Sequence, residues 1–408
     1  AFVTLLDDFG EVFWRFRVRN AKPKCRRCGS PTVGVPIKLA ECVADIGQIL
    51  LGDCQMKMLI LGASYGSLLS TKLLMAGHDV TLICRSASAA LINSEGTEVR
   101  IKLRDEDAHR AIRSADLPGS LNAVTPEQAR PEDYDMIALA MQEPQYSAPS
   151  VRGLMARIAA SGKPCLSIMN MPPLPFLRRI ESLENVALDS AYDDASVWQG
   201  FEPGLMSLCS PDPQAFRPPE EGTNILHVGL PTNFKAAVFA DPAHTALLRQ
   251  LEADIAAVTI DGKDVPVKLR VYDSLFVPMA KWSMLLTGNY RCVEADGVRA
   301  IRDAVHGDID ASSQMYAWVD ALARQLGADA ADQVPFEKYA NAANSLLKPS
   351  SAARAIASGV ANIERVDRLV QLIGKGLGLH NAELDQIVSI VDARLHENAN
   401  FDKVASVG

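Results

Sequence analysis

Apolar and polar residues follow one another in blocks along the chain from about residue 58. The run MLILGAS is typical of a short buried strand, and GSLLSTKLLMA, residues 66–76, keeps apolar residues at helical spacing. A second strand is predicted in HDVTLICR, residues 78–85, and two more in residues 133–141 and 163–170. Strands that alternate with helices predict a parallel sheet with right-handed crossovers.

Past about residue 270 the strand pattern ends. The segments DSLFVPMAKWSMLLTGNY, ASSQMYAWVDALARQLG and ANIERVDRLVQLIGKGLG carry apolar residues three and four apart, and two of them end in glycine, a common helix stop. The sequence therefore predicts an α/β Rossmann-type doubly wound domain at residues 56–270, followed by an all-α domain at residues 271–408.

Residues 1–55 differ from the rest of the chain. They hold the basic cluster RFRVRNAKPKCRRCG and the cysteines Cys25, Cys28, Cys42 and Cys54. Cys25 and Cys28 have the spacing of one half of a zinc site, but a second close pair is missing. We favour an N-terminal extension with incidental thiols, which is either a fragment of something upstream or a misplaced start.

Composition excludes several classes of protein. With 48% hydrophobic and 22% charged residues, the chain is ordinary for a globular protein, and no apolar run is long enough to predict a membrane span. The net charge of −8 argues against non-specific nucleic-acid binding. The scattered thiols indicate a reduced, cytoplasmic protein; they are Cys84, Cys165, Cys209 and Cys292.

The turn after the first strand is a candidate phosphate-binding site. Its glycines, Gly62 and Gly66, are spaced as GxxxG, one residue shorter than the usual GxGxxG fingerprint. Gly62 suits a tight turn, and Gly66 allows the helix to pack on the strand. Ser64, with its hydroxyl, stands at the position of the second glycine. With Tyr65, these residues form the predicted cofactor turn, although similar turns in many α/β proteins bind nothing.

The second strand ends in Arg85, where NAD sites usually have an acidic residue and NADP sites an arginine. An arginine can bind the 2′-phosphate of NADP through charge-assisted hydrogen bonds. The alternative is an ordinary solvated side chain. Gln142 and Asn170 follow two further strands, at the edge of the sheet where ligands bind.

From Met58 to His396 the chain resembles the ketopantoate reductase family. The resemblance rests on the βαβ unit, the segment INSEGTEVRIK after it, and SIMN, whose Asn170 matches a family asparagine that contacts cofactor and substrate. The segment KWSMLLTGN supplies Lys281 and Asn289, which match a family lysine and asparagine on one helix.

The last motif is PSSAARAIASGVANIERVD, which holds Ser350, Ser351 and Glu364 with one residue more between them than in the family. One serine is alternatively a helix N-cap, and Glu364 is alternatively a surface ion-pair partner of Arg365. Lys281 is alternatively a solvated face residue.

The resemblance implies NADPH-dependent reduction of a 2-oxo acid to a 2-hydroxy acid in a two-domain enzyme. Lys281 would be the general acid, and Glu364 would orient the substrate hydroxyl or pair with Lys281. Asn170, Asn289 and the two serines, Ser350 and Ser351, would bind substrate. We expect a homodimer, with the helical domain serving substrate binding and dimerisation.

Some positions depart from the family pattern. Gln142 stands where the family has a lysine near the adenosine phosphates, and Leu285 replaces a substrate-binding asparagine. With the stiff segment MNMPPLP, these changes favour a bulkier, more apolar 2-oxo acid. The alternatives are a related opine-type or 3-hydroxy-acid dehydrogenase and a non-catalytic NADP-binding sensor or scaffold.

Overall fold

The computed structural model describes residues 5–6, 12–13, 55–62 and 65–405, with side chains described as far as Phe401. The chain divides into two units, residues 1–54 and residues 55–408. In the first unit, Leu5–Leu6 (β1) pairs antiparallel with Val12–Phe13 (β2). The zinc alternative at Cys25 and Cys28 lies outside the described residues.

The second unit is built on an eight-stranded sheet and a separate four-stranded sheet. Its strands are Lys57–Leu61 (β3), Asp79–Ile83 (β4), Glu98–Lys102 (β5), His109–Arg113 (β6), Leu121–Val124 (β7), Met136–Leu139 (β8), Cys165–Ile168 (β9), Met206–Ser210 (β10), Gln214–Phe216 (β11), Ile225–Leu230 (β12), Phe234–Ala237 (β13), Thr259–Ile260 (β14), Lys263–Asp264 (β15), Leu269–Tyr272 (β16), Val293–Glu294 (β17) and Gly297–Val298 (β18).

The α-helices of this unit are Tyr65–Met75 (α1), Ser86–Glu95 (α2), Pro149–Ser161 (α3), Leu174–Leu177 (α4), Pro242–Ala257 (α5), Lys281–Met284 (α6), Ile301–His306 (α7), Ile309–Gln325 (α8), Phe336–Ala343 (α9), Ser351–Ala357 (α10), Val366–Gly376 (α11) and Ala382–Ala405 (α12).

The large sheet has the strand order β16-β13-β10-β9-β8-β3-β4-β7. The six strands from β10 to β7 are parallel, whereas β13 runs antiparallel to β10. The parallel strands β3, β8 and β9 are buried almost throughout, as continuous apolar runs require when both faces are covered. This sheet confirms the predicted Rossmann-type domain.

The helical part begins after the large sheet, whose last strand ends at Tyr272, two residues beyond the expected boundary at 270. It also holds the small β17–β18 hairpin, which the sequence pattern did not predict. Helix α11 buries Val366, Leu369, Val370 and Ile373, the face that the three- and four-residue spacing predicted. Among the described residues, no helix has the length and apolar character needed to cross a membrane.

Candidate functional site

The turn between β3 and α1 is shaped by two glycines that tolerate no side chain. Gly62 has φ +101°, and a Cβ there would lie 2.5 Å from the carbonyl oxygen of Ala140. A Cβ at Gly66 would lie 2.8 Å from Cγ2 of Ile60, because the helix packs tightly on its own strand. The shortened loop thus keeps a glycine-type turn, while Ser64 lies outside the described residues.

Four predicted residues lie at the same edge of the sheet, because each follows the carboxyl end of a parallel strand. They are Gly62, Arg85, Gln142 and Asn170. The guanidinium of Arg85 is exposed and makes no ion pair or hydrogen bond with the part of the chain that the structure describes. Gln142 is also exposed, and its backbone N–H donates to Oε1 of Gln145 at 3.0 Å.

The Lys281 segment is not the regular α-helix that its spacing suggested. A single α-helical turn, α6, is followed by a π-helical turn at Leu285–Asn289. The wider turn changes which residues share a face of the segment, so the prediction of one regular helix here is corrected. Leu285 is buried in the core, whereas Lys281 and Asn289 remain partly exposed. π-turns occur frequently at functional sites.

Lys281 is held by the segment that follows β10. Its Nζ donates to the carbonyl oxygen of Pro211 at 3.1 Å and lies 3.7 Å from Oδ1 of Asp212. The other oxygen of Asp212 lies 2.9 Å from Nζ of Lys235, the second residue of β13. Neither Asp212 nor Lys235 was predicted from the sequence. The apolar run MSLCS, ending in polar residues, was the available signal for the first.

Glu364 lies at the same site, bound to Asn170 rather than paired with Arg365. The Asn170 side-chain amide donates to Oε2 of Glu364 at 3.3 Å. The Tyr290 hydroxyl donates to the backbone carbonyl of Glu364 and accepts from the N–H of Val366 at 3.0 Å, which fixes the segment. Arg365 instead forms ion pairs with two aspartates of the helical domain.

Asn170 also has an unsatisfied hydrogen-bond acceptor. Its Oδ1 is buried without a hydrogen-bond partner among the described residues. Buried amide oxygens are normally satisfied, so this one marks a position where a ligand or water is expected.

The charges of the site act on one another. Burial raises the pKa of Glu364 to about 7, although Asn170, the backbone N–H of Glu143 and the Lys281 ammonium favour its ionised form. Burial lowers the pKa of Lys281, against the opposing effect of Asp212 and Glu364. Burial, with the charges of Glu364 and Asp212, raises the pKa of the Tyr65 phenol. These mutual effects indicate that Tyr65, Lys281 and Glu364 lie in one neighbourhood.

The two predicted serines, Ser350 and Ser351, differ in burial and in hydrogen bonding. Ser350 is the N-cap of α10, since its hydroxyl accepts from the N–H of Ala353 at 3.1 Å. Its single proton is donated to the carbonyl oxygen of Asn289 at 2.7 Å, and the residue is buried. The prediction that Ser350 donates to substrate is therefore corrected in favour of the N-cap alternative. Ser351 is exposed at the first position of the helix.

No protein-family model matches the chain, and no curated protein sequence matches it. Solved structures do. The 2-dehydropantoate 2-reductase from Methylococcus capsulatus is 12% identical, with a TM-score of 0.60 over 84% of this chain and 97% of that one. A dimeric ketopantoate reductase from Staphylococcus aureus is 12% identical, with a TM-score of 0.55 over 84% and 100%.

A third solved structure, D-mandelate dehydrogenase with NADH and anilino(oxo)acetate, is 14% identical, with a TM-score of 0.55 over 84% of this chain and 100% of that one. At such identities the likeness concerns the fold. The chain has the two-domain fold of the ketopantoate reductases, as the resemblance in its sequence predicted.

Proposed function

We propose that the protein is an NADPH-dependent reductase that converts a 2-oxo acid to a 2-hydroxy acid. The observation that carries the proposal is the hydrogen bond of Asn170, at the carboxyl edge of the sheet, to Glu364, whose charge also acts on the pKa of Lys281. A non-catalytic sensor needs neither a partly buried ammonium nor a carboxyl with a pKa near 7 at this edge.

The residues of the sheet edge fit a dinucleotide. The glycines Gly62 and Gly66, which allow close backbone approach, and the N-terminus of α1 suit a pyrophosphate, and the unpaired guanidinium of Arg85 suits a 2′-phosphate. Tyr65 and Gln142 would border it. When bound, NADPH supplies the hydride that reduces the substrate carbonyl.

Lys281 is the proposed general acid. Its ammonium can donate a hydrogen bond to the carbonyl oxygen, stabilise the negative charge that develops there, and then transfer a proton. Burial lowers its pKa, which eases that transfer, while Asp212 and Glu364 favour its charged form.

Glu364 and Asn170 are proposed to orient the substrate. The amide holds the carboxyl in place, and the free Oδ1 of Asn170 can accept a hydrogen bond from a substrate hydroxyl or from the cofactor amide. Asn289 lies at the end of the π-turn and is proposed to contact the substrate, with Ser351 as a further candidate.

The substrate is proposed to be bulkier and more apolar than ketopantoate. Leu285 and Met171 are buried apolar residues where polar or flexible ones were expected from the family, and neither can donate a hydrogen bond. An apolar wall discriminates by size rather than by hydrogen bonding. We therefore expect a ring-bearing 2-oxo acid to be a better substrate than a small polar one.

The experiment is NADPH binding and turnover by purified protein across a panel of 2-oxo acids that includes ketopantoate and aromatic ones. We expect Lys281→Ala to lower kcat by about 10²–10⁴-fold while NADPH still binds. Lys338→Ala, at an exposed position of α9, is the control and keeps full activity. Turnover unchanged in Lys281→Ala, or no NADPH binding by the wild type, would refute the proposal.

Location and oligomeric state are also part of the proposal. We propose a cytoplasmic homodimer that associates through its helical domain. Light scattering on the purified protein tests the dimer directly, since a mass of a single 44.1 kDa chain contradicts it.

A further inference from the structure

A cavity of about 530 Å³ lies over the four-stranded sheet of β5, β6, β11 and β12. It shares no lining residue with the site around Lys281 and Glu364. Its volume lies within the range of small-molecule sites. The residues that carry its chemistry are Lys102, Arg104, His109, Phe216, His227 and Asp264.

The cavity is positively charged. Lys102 and Arg104 are exposed, and neither side chain forms an ion pair or hydrogen bond with any residue that the structure describes. The one acidic lining residue, Asp264, is already paired with Lys268. Nearby Glu106 is bound to Arg110 and Lys263, so it does not neutralise the two free cations.

An aromatic surface borders these cations. Phe216 keeps 56% of its surface exposed, an unusual state for a phenylalanine in a sheet. Its ring centroid lies 5.5 Å from that of His227, which in turn lies 6.2 Å from His109. The three rings form one patch on which a further flat ring can stack.

A segment that lines the cavity contains a residue in a strained conformation. Val267 is buried with φ +63°, a region that β-branched residues rarely occupy. The buried Lys72 ammonium donates to the carbonyl oxygens of Val265 at 3.3 Å and Pro266 at 3.2 Å, which fixes the turn. Pro266 lines the cavity. Strain of this kind persists where the surrounding structure enforces it, and it clusters at ligand sites.

We propose that this cavity binds a phosphate monoester that carries a flat ring. The guanidinium of Arg104 and the ammonium of Lys102 receive the phosphate oxygens, for which charge-assisted and bidentate hydrogen bonds are strong. The ring stacks on Phe216 beside His227. The site is separate from the proposed dinucleotide and substrate positions, so it is a second binding function of the same domain.

The test is isothermal titration of the full chain with phenyl phosphate and, separately, with inorganic phosphate. The wild type is expected to bind phenyl phosphate about tenfold more tightly than inorganic phosphate, because only the ester stacks on Phe216. The double variant K102A/R104A is expected to weaken phenyl phosphate about tenfold or more. Phe216→Ala is expected to make the two affinities equal.

The controls separate this site from other cations of the protein. The double variant K338A/K348A removes two exposed lysines of the helical domain and is expected to bind phenyl phosphate as the wild type does. All substituted side chains are exposed, so unchanged melting temperatures are expected. The proposal is overturned if no binding is seen up to about 10 mM. It is also overturned if K102A/R104A and Phe216→Ala bind phenyl phosphate like the wild type, which would place the ligand elsewhere.

Discussion

Asp212 lies between two ammonium groups, at 2.9 Å from Lys235 and 3.7 Å from Lys281. It does not need to touch substrate to affect the chemistry. Its charge opposes the desolvation that lowers the pKa of Lys281, so it helps to keep the proposed general acid protonated. Asp212 is therefore proposed as a positioning residue for Lys281, and its contribution is expected to appear in a pH profile.

Asp212→Asn is expected to shift the alkaline limb of kcat/KM for carbonyl reduction to lower pH. The reaction needs protonated Lys281, and removing the negative charge lowers the pKa of Lys281 further, so activity is lost earlier as pH rises. The profile is measured against that of Asp107→Asn, an exposed control. A limb at the same pH in both variants would mean that Asp212 has only a structural role.

Arg85 is the residue on which the choice between NADPH and NADH is proposed to depend. Its guanidinium is exposed and unpaired within the described residues. Arg85→Ala is expected to weaken NADPH binding by about 10- to 100-fold, with little effect on NADH, because one charge-assisted contact to the 2′-phosphate is lost. Dissociation constants for both cofactors decide it, with Arg354→Ala on α10 as control. Equal losses for both cofactors would contradict the assignment.

At the scale of elements, the sequence predicted what depends on local pattern. The buried runs of β3, β4, β8 and β9 follow from continuous apolar stretches, and α1 from helical spacing closed by glycine. The residues at the ends of these strands could be placed at one edge because parallel strands share their direction. Gly62, Arg85, Gln142 and Asn170 lie at this edge of the sheet, as predicted.

Other parts of the site depend on tertiary contacts, which no local pattern encodes. The π-turn at Leu285–Asn289 has the same residue types as an α-helix, and only its hydrogen bonds distinguish it. Lys235 meets Asp212 because β13 pairs antiparallel with β10, with Ser210 opposite Lys235. Likewise, the local pattern offered Ser350 as an N-cap but could not show that its hydroxyl donates to the backbone carbonyl of Asn289, 61 residues away in sequence.

A side chain at Gly62, in the turn between β3 and α1, is expected to lower both stability and NADPH affinity. Gly62→Ala places a Cβ against the carbonyl of Ala140 in a backbone conformation that alanine avoids. We expect a loss of about 1–3 kcal/mol in unfolding free energy and a marked loss of NADPH affinity. Gly297→Ala, which meets no atom within 4 Å, is the control in denaturant titrations and cofactor binding. Normal NADPH affinity in Gly62→Ala would show that the turn does not carry the cofactor.

At the scale of the whole molecule, a second buried carboxyl, that of Glu143, lies beside the candidate site. Glu143 is 2% exposed, and its carboxylate accepts a hydrogen bond from the backbone N–H of Asp193 at 3.2 Å. Burial, reinforced by the charge of Glu364, raises its pKa from 4.5 to about 7. The fold thus keeps the Glu143 carboxyl, whose ionisation costs stability because it is buried, at the point where the sheet, the segment around Asp193 and Glu364 meet.

This carboxyl makes global stability depend on pH in a defined direction. Between about pH 4.5 and 7 the unfolded chain has released the Glu143 proton while the folded chain retains it. The folded state then binds more protons, so stability falls as pH rises through this window and the full penalty is present above it. Glu364, whose pKa is also about 7, adds a dependence of the same sign.

Glu143→Gln is expected to stabilise the protein by about 2–3 kcal/mol at pH 8 and to change little at pH 4.5, since the amide is neutral at both and its oxygen still accepts from Asp193. Urea unfolding at the two pH values measures the effect, with the exposed Glu202→Gln as control. Because Glu364 is left intact, part of the fall in stability between the two pH values should persist. Equal destabilisation at both pH values would instead show that Glu143 is ionised and stabilising in the folded protein.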